Sequence, residues 1–179
     1  MKVYKTYIKG LLVIKQKNNF DTRGFLRETY NNKIIKNEKF IFEYCTTSKK
    51  DVLRGFHFQT RFQQAKYVNV LKGKILDVVI DLRKKSKTFG KSFKIILSAK
   101  NATSLIIPRG FAHAYYSFEK ENIIYYKLNN YYKPEFESGI IFNDKKLKIR
   151  WPNNKKFKIS KKDKALNSFA QFCNIYGGL

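Results

Sequence analysis

What most limits the fold of this chain is its punctuation. Short β-rich runs follow one another with turn signals between them and almost no helical periodicity. The runs are Leu11–Lys15, Phe40–Thr47, Lys66–Leu71, Lys74–Leu82, Ser92–Leu97, Thr103–Ile107, His113–Phe118 and Asn122–Leu128. Lys72-Gly73, Phe89-Gly90 and Pro108-Arg109-Gly110 interrupt them, because glycine adopts backbone angles other residues resist and proline fixes one. Such spacing, without the helix-strand alternation of a parallel sheet, predicts an all-β sandwich or barrel. Only Lys161–Phe172 has a helical pattern, with Ser160 as its N-cap and Leu166, Phe169 and Phe172 on one face. With no internal repeat or linker, residues 1–179 are expected to form one domain: a jelly roll that can close around a ligand cavity, with a short C-terminal helix.

Two strands carry more than fold information. In Lys74–Leu82, Leu76, Val78, Ile80 and Leu82 form one apolar face, while Ile75, Asp77, Val79 and Asp81 share the other. Two acids there are odd for a plain core. A two-residue hairpin turn at Lys72-Gly73 would pair residue 68 with 77 and set Lys66 diagonal to Asp77 on the same face. A lysine beside an aspartate inside a barrel indicates a site; a solvated pair on the outer face is the alternative. In Asn122–Leu128, alternation sends Tyr125 and Tyr126 to opposite faces, so one can line a cavity while the other packs.

At 179 residues and 43% hydrophobic composition the chain can bury a real core. Its net charge of +25 invites a nucleic-acid reading. The lysines are nevertheless spread along the whole chain, and no zinc-finger spacing, ribonucleoprotein motif or basic heptad pattern is present. The expected partner is instead an anionic small molecule such as a nucleotide diphosphate, with no nucleic acid and no membrane. No apolar run has the length of a membrane span, and Leu11–Ile14 is too short for a signal-peptide core, so a cytoplasmic protein is expected. Cys45 and Cys173 are isolated, as free thiols would be.

Only two histidines occur, and each lies in a dense motif: His57 in Val-Leu-Arg-Gly-Phe-His-Phe-Gln (52–59) and His113 in Ile-Pro-Arg-Gly-Phe-Ala-His-Ala (107–114). Histidine is the side chain most easily poised to move protons near neutral pH; two structural histidines are the alternative. The chain has no Gly-x-Gly-x-x-Gly, no P-loop and no Gly-x-Ser-x-Gly elbow. Jelly-roll metalloenzymes usually carry a His-x-His pair, whereas position 59 is Gln59, so no metal or other cofactor is expected. Acid–base chemistry remains, carried by His57, carboxylates such as Asp163, and the tyrosines of Ile-Ile-Tyr-Tyr-Lys (123–127).

These motifs together resemble the dTDP-4-dehydrorhamnose 3,5-epimerases, cupin-like jelly-roll enzymes that act on nucleotide-linked 4-keto sugars without a cofactor. The resemblance runs from Phe20 to about Asp163. It rests on Asp-Thr-Arg-Gly (21–24) leading to Glu28, Leu-Arg-Gly-Phe-His-Phe-Gln (53–59) and Gln-Ala-Lys (64–66). It continues through Gly-Lys-Ile-Leu-Asp-Val-Val-Ile-Asp-Leu-Arg (73–83), Ser-Lys-Thr-Phe-Gly (86–90) and Pro-Arg-Gly-Phe-Ala-His (108–113). Tyr-Lys (126–127), Tyr-Tyr (131–132), Asn-Asp (143–144), Trp-Pro (151–152) and Lys-Asp (162–163) complete it.

The resemblance implies that His57 is the general base, oriented by Asp163, that Tyr126 is the acid on the opposite face of the sugar, and that Lys66 stabilises the enolate. It implies diphosphate and sugar contacts from Arg54 and His113, and nucleotide or phosphate contacts from Arg23, Glu28, Glu137 and Lys162. Tyr44, Thr46 and Gln59 are further substrate-binding candidates. In the family the first of these segments comes from the partner subunit, which implies a homodimer with shared active sites. The expected reaction inverts C3 and C5 for surface-polysaccharide (capsule or lipopolysaccharide) biosynthesis; a C3-only epimerase or a 4-keto-sugar isomerase of the same fold is the alternative. One departure bears on substrate: Tyr44-Cys45-Thr46 stands where the dTDP enzymes carry Gln-x-Asn. Lost amides favour a different ligand, and a GDP-linked 4-keto heptose is the expectation beside a dTDP-linked 6-deoxyhexose.

Overall fold

In the computed structural model, which describes every residue except 37 and 153–156, the chain forms two facing antiparallel sheets. One contains, in order, β1 (Lys2–Lys5), β2 (Leu12–Lys15), β10 (Thr103–Ile107), β7 (Lys66–Lys72), β12 (Asn122–Leu128) and β5 (Phe42–Ser48). The other contains β13 (Glu137–Gly139), β6 (Leu53–Gln59), β11 (Phe111–Ser117), β8 (Lys74–Asp81) and β9 (Ser92–Ser98). A separate hairpin, β3 (Asn19–Asp21) and β4 (Gly24–Leu26), projects from them. The architecture is the jelly roll expected from the strand spacing, of the cupin-like form that the resemblance implied.

Alternation along the strands builds the layers. Ile75 and Val79 of β8 face the interior with Val68, Val70, Leu105, Tyr115, Ile124 and Tyr126. Leu76, Val78 and Ile80, with Leu82 just beyond the strand, point the other way, into a second core that Trp151 and Phe172 help to close. Tyr67 and Ile106 anchor a third cluster on the outer face of the first sheet. The second sheet is therefore covered on both faces at β8, which is buried almost end to end.

Two local expectations are corrected. Lys72-Gly73 does not close a hairpin: β7 and β8 lie in different sheets, and Lys66 is paired with Ile107 and Leu128. Gly73 (φ +83°) carries the chain across, and a Cβ there would come within 2.5 Å of Asn122 Oδ1. The expected helix Lys161–Phe172 is instead two short helices, α1 (Lys161–Lys164) and α2 (Phe169–Tyr176). Ser160 caps the first, and Ser168 begins the second with a reciprocal capping box to Gln171. Between them Asn167 bridges to Ile140, and the Ile141 N–H donates to the Asn167 carbonyl at 2.8 Å. Sheet-like bonding there, with a second competent cap, outweighs helical spacing.

Candidate active site

The site begins with a glycine. Gly55 has φ +115°, and a Cβ on it would lie 2.5 Å from both Ala114 Cβ and the His113 carbonyl oxygen. Only glycine lets β6 approach β11 this closely. The two histidines thereby become direct cross-strand partners, with side chains on the same face.

His57 Nε2 lies 2.9 Å from Asp163 Oδ1, and the Gly55 N–H donates to Asp163 Oδ2 at 3.0 Å. Asp163 is itself held by α1, where its N–H donates to the Ser160 hydroxyl. Burial pushes its carboxyl pKa up, but the His57 hydrogen bond and charge, the Gly55 amide and Ser160 together hold it below the usual value. The pair opens on a cleft of about 410 Å³ that Arg54 also lines. Arg54 is exposed, with its guanidinium donating to the Ser48 hydroxyl and the Thr47 carbonyl.

The interior side of the site is richer in buried polar groups. His113 Nε2 is 2.7 Å from Asp77 Oδ2, and both residues are buried. Asp77 Oδ1 has no hydrogen-bond partner among the described residues. Lys66 keeps the neighbourhood of Asp77 that the sequence suggested, although from the facing sheet. Burial drives its ammonium down to about 8, against the upward pull of Glu137 and Asp77. Glu137 forms an ion pair with Lys162 and accepts a hydrogen bond from the Tyr132 hydroxyl at 2.7 Å. Its burial raises its pKa, while Lys162, Tyr132 and the His57 charge bring it below normal.

Tyr126 points inward and is only 3% exposed, whereas Tyr125 turns outward to Glu43. Its ring meets His113 edge-on at 6.2 Å and stacks on Tyr44 at 4.9 Å. Burial, then Tyr115, Tyr44 and Asp77, raise the Tyr126 pKa well above the ordinary phenol value, and the nearby Thr46 hydroxyl partly offsets them. Burial likewise pushes the Tyr44 phenol up to about 12, although the residue as a whole is 36% exposed.

His57, Asp163, His113, Tyr126, Lys66, Glu137, Lys162, Tyr44 and Thr46 therefore form one connected constellation, with Arg54 at its edge. Gln59 departs from its expected role. Its amide donates to the Phe62 carbonyl and accepts from the Lys133 N–H, so it ties two loops together from a buried position. Arg23 and Glu28 stand apart. Arg23 pairs with Asp21 on the β3–β4 hairpin and Glu28 accepts from Asn31, both well exposed. Asp77 was legible as an oddly placed acid near Lys66, whereas its link to His113 is a long-range contact. Among the described residues no three potential ligands gather as a metal would need, and no helix is long and apolar enough to cross a membrane.

Comparison with known proteins adds to this geometry. Residues 5–171 match the family model described as dTDP-4-dehydrorhamnose 3,5-epimerase. The dTDP-4-dehydrorhamnose 3,5-epimerase of Salmonella typhimurium is 39% identical over 171 residues, 92% of this chain and 93% of that protein. The crystal structure of the enzyme of that name from Elizabethkingia anophelis superposes with a TM-score of 0.89 at 36% identity, covering 96% and 97% of the two chains. A Legionella pneumophila dTDP-6-deoxy-D-glucose-3,5-epimerase, solved in complex with dTDP-4-keto-L-rhamnose, gives 0.89 at 35% identity, covering 93% of this chain and 92% of that one.

Proposed function

The chain belongs to the dTDP-4-dehydrorhamnose 3,5-epimerase family of isomerases, and from that premise we propose that it inverts C3 and C5 of a dTDP-linked 4-keto-6-deoxyhexose without a metal or organic cofactor. A 4-keto group acidifies the hydrogens on both neighbouring carbons, because removing either gives an enolate spread onto O4. His57 takes the proton from one face. Asp163 holds the imidazole in place and favours the imidazolium that forms. Tyr126 returns a proton on the opposite face, and its raised pKa keeps the phenol protonated until the strongly basic carbon forms. The Lys66 ammonium stabilises charge at O4. The His113–Asp77 pair and Arg54 hold sugar and phosphate oxygens.

One observation carries the reading: a histidine–carboxylate pair at 2.9 Å and a buried tyrosine are joined through His113, the cross-strand neighbour of the one and the edge-on contact of the other. The proposed nucleotide is dTDP rather than the GDP expected from the lost amides. Tyr44 and Thr46 are engaged with the phenols of Tyr126 and Tyr115, so their exchange for amides bears on the acid as well as on nucleotide recognition. We further propose that Arg23 and Glu28 reach the site of a second copy in a homodimer, since among the described residues their side chains bond Asp21 and Asn31 rather than the constellation of their own chain.

The test is incubation with dTDP- and GDP-linked 4-keto sugars in deuterated water, before and after exhaustive chelation, read by NMR and mass. Deuterium at C3 and C5 with the dTDP sugar is expected, unaffected by chelator. His57→Asn should lose exchange by about 10²–10⁴-fold, and Tyr126→Phe should lose inversion while retaining some exchange at C3. Efficient turnover of the GDP sugar alone would overturn the nucleotide assignment. Normal exchange in His57→Asn would overturn the base.

A further inference from the structure

We propose that Thr46, Tyr115 and Ser48 form a proton relay that recharges Tyr126 from solvent beside Arg54; this rests on Tyr126 being the acid of the proposed reaction. Each inversion breaks a C–H bond to His57 and forms another with the Tyr126 phenolic proton. The sugar gains no charge, but the protein is left with an imidazolium and a phenolate. His57 sheds its proton through the open cleft. Tyr126 must gain one before the second carbon, or the next substrate, can be inverted. At 3% exposure, between Tyr44 and His113, it has little direct access to water.

A line of hydroxyls runs from its side of the cavity, through two buried groups, to the exposed Arg54. Thr46 stands opposite Ile124, two positions along from the Tyr44–Tyr126 pair, so it is the same-face diagonal neighbour of Tyr126. Thr46 Oγ1 is 3.2 Å from the Tyr115 hydroxyl, which is 2.8 Å from Ser48 Oγ. Ser48 in turn accepts from Arg54 Nε at 3.3 Å. Tyr115 and Ser48 are buried, and Arg54 is exposed. Every hydroxyl in the line donates and accepts through one atom, which an amide does not. Thr46 gives its proton to the phenolate and takes one from Tyr115. Tyr115 takes one from Ser48, and Ser48, itself buried but bonded to the exposed Arg54, takes one from water at that edge, replacing the proton His57 released. Arg54 stays protonated; its fixed charge favours the transient anion and keeps the Ser48 oxygen oriented. These three hydroxyls position and resupply the acid without touching the reacting carbon.

The test compares Thr46→Val, Thr46→Ser and Tyr115→Phe, each checked for fold by circular dichroism, by rapid quench with protein and dTDP-4-keto sugar at similar concentrations and then in steady state. The relay requires a build-up of singly inverted sugar and a steady-state rate lower by roughly tenfold or more, with a distinctly smaller loss in the first C3 inversion. Thr46→Ser, which keeps the hydroxyl, should restore steady turnover. Equal loss in first and later turnovers would mean a displaced Tyr126 and would overturn the relay, as would wild-type steady turnover in Thr46→Val. If Tyr115→Phe does not fold, the Thr46 pair decides alone. Retained inversion in Tyr126→Phe would instead remove the acid assignment on which the relay stands.

Discussion

At the scale of single residues, Lys66 carries the clearest pH signature. Burial brings its ammonium down to about 8 despite Glu137 and Asp77 nearby. Charged below that value and neutral above it, the side chain can stabilise an enolate only in its protonated form. Turnover should therefore fall as pH rises through about 8. Lys66→Arg, which does not titrate in this range, should move that limb to higher pH even if the rate drops. Lys66→Met should cost about 10²–10³-fold in kcat, the usual loss for one charge-stabilising donor. A kcat–pH profile checks both, and an unmoved limb in Lys66→Arg would assign it to another group. His57 and His113 were conspicuous in the sequence because nothing else of their kind dilutes them. Tyr115 and Ser48 were not: with twelve tyrosines in the chain, a buried phenol that bonds two hydroxyls from the facing sheet has no local signature.

At the scale of elements, the two short C-terminal helices separate stability from chemistry. Both begin with a serine whose hydroxyl accepts an N–H from its first turn, and loss of such a cap costs about 1 kcal/mol. In α1 the capped N–H belongs to Asp163, the partner of His57; in α2 it belongs to Gln171, which faces no site residue. Ser168→Ala should lower Tm with kcat unchanged. Ser160→Ala should lower Tm by a similar amount and reduce kcat as well. Thermal melts beside kinetics check the pair, and equal kinetic effects would break the assignment. The split between α1 and α2 escaped the sequence because Leu166, Phe169 and Phe172 keep helical spacing across it. What divides them is the bridge from Asn167 to Ile140, a contact made by distant chain. The β7–β8 connection misled in the same way. Local turn chemistry predicted a hairpin, yet each strand found better partners elsewhere. The faces survived the error because side-chain alternation does not depend on which strand lies alongside.

At the scale of the whole molecule, strand spacing sufficed for a jelly roll, while the motifs carried the site and the family. Least legible was how far one chain completes its own site. The β3–β4 hairpin exposes Phe20 at 75%, Phe25 at 47% and Leu26 at 72%, beside an arginine that pairs, among the described residues, with Asp21 of the same hairpin. Apolar groups of this size gain by burial against another surface, at about 25 cal/mol per Å² removed from water. A second copy that received the hairpin would bring Arg23, and Glu28 just beyond it, to the cleft around His57. In that arrangement each active site draws on two chains. An Arg23→Ala subunit mixed with a His57→Asn subunit would then form heterodimers in which one of the two sites keeps both residues, while the other lacks both. Activity recovered on mixing, measured against the two inactive parents and scaled to the heterodimer fraction seen by native mass spectrometry, is the expected result. Demonstrated heterodimers without recovery would mean that each chain builds its site alone, and that the hairpin packs for assembly without reaching the substrate.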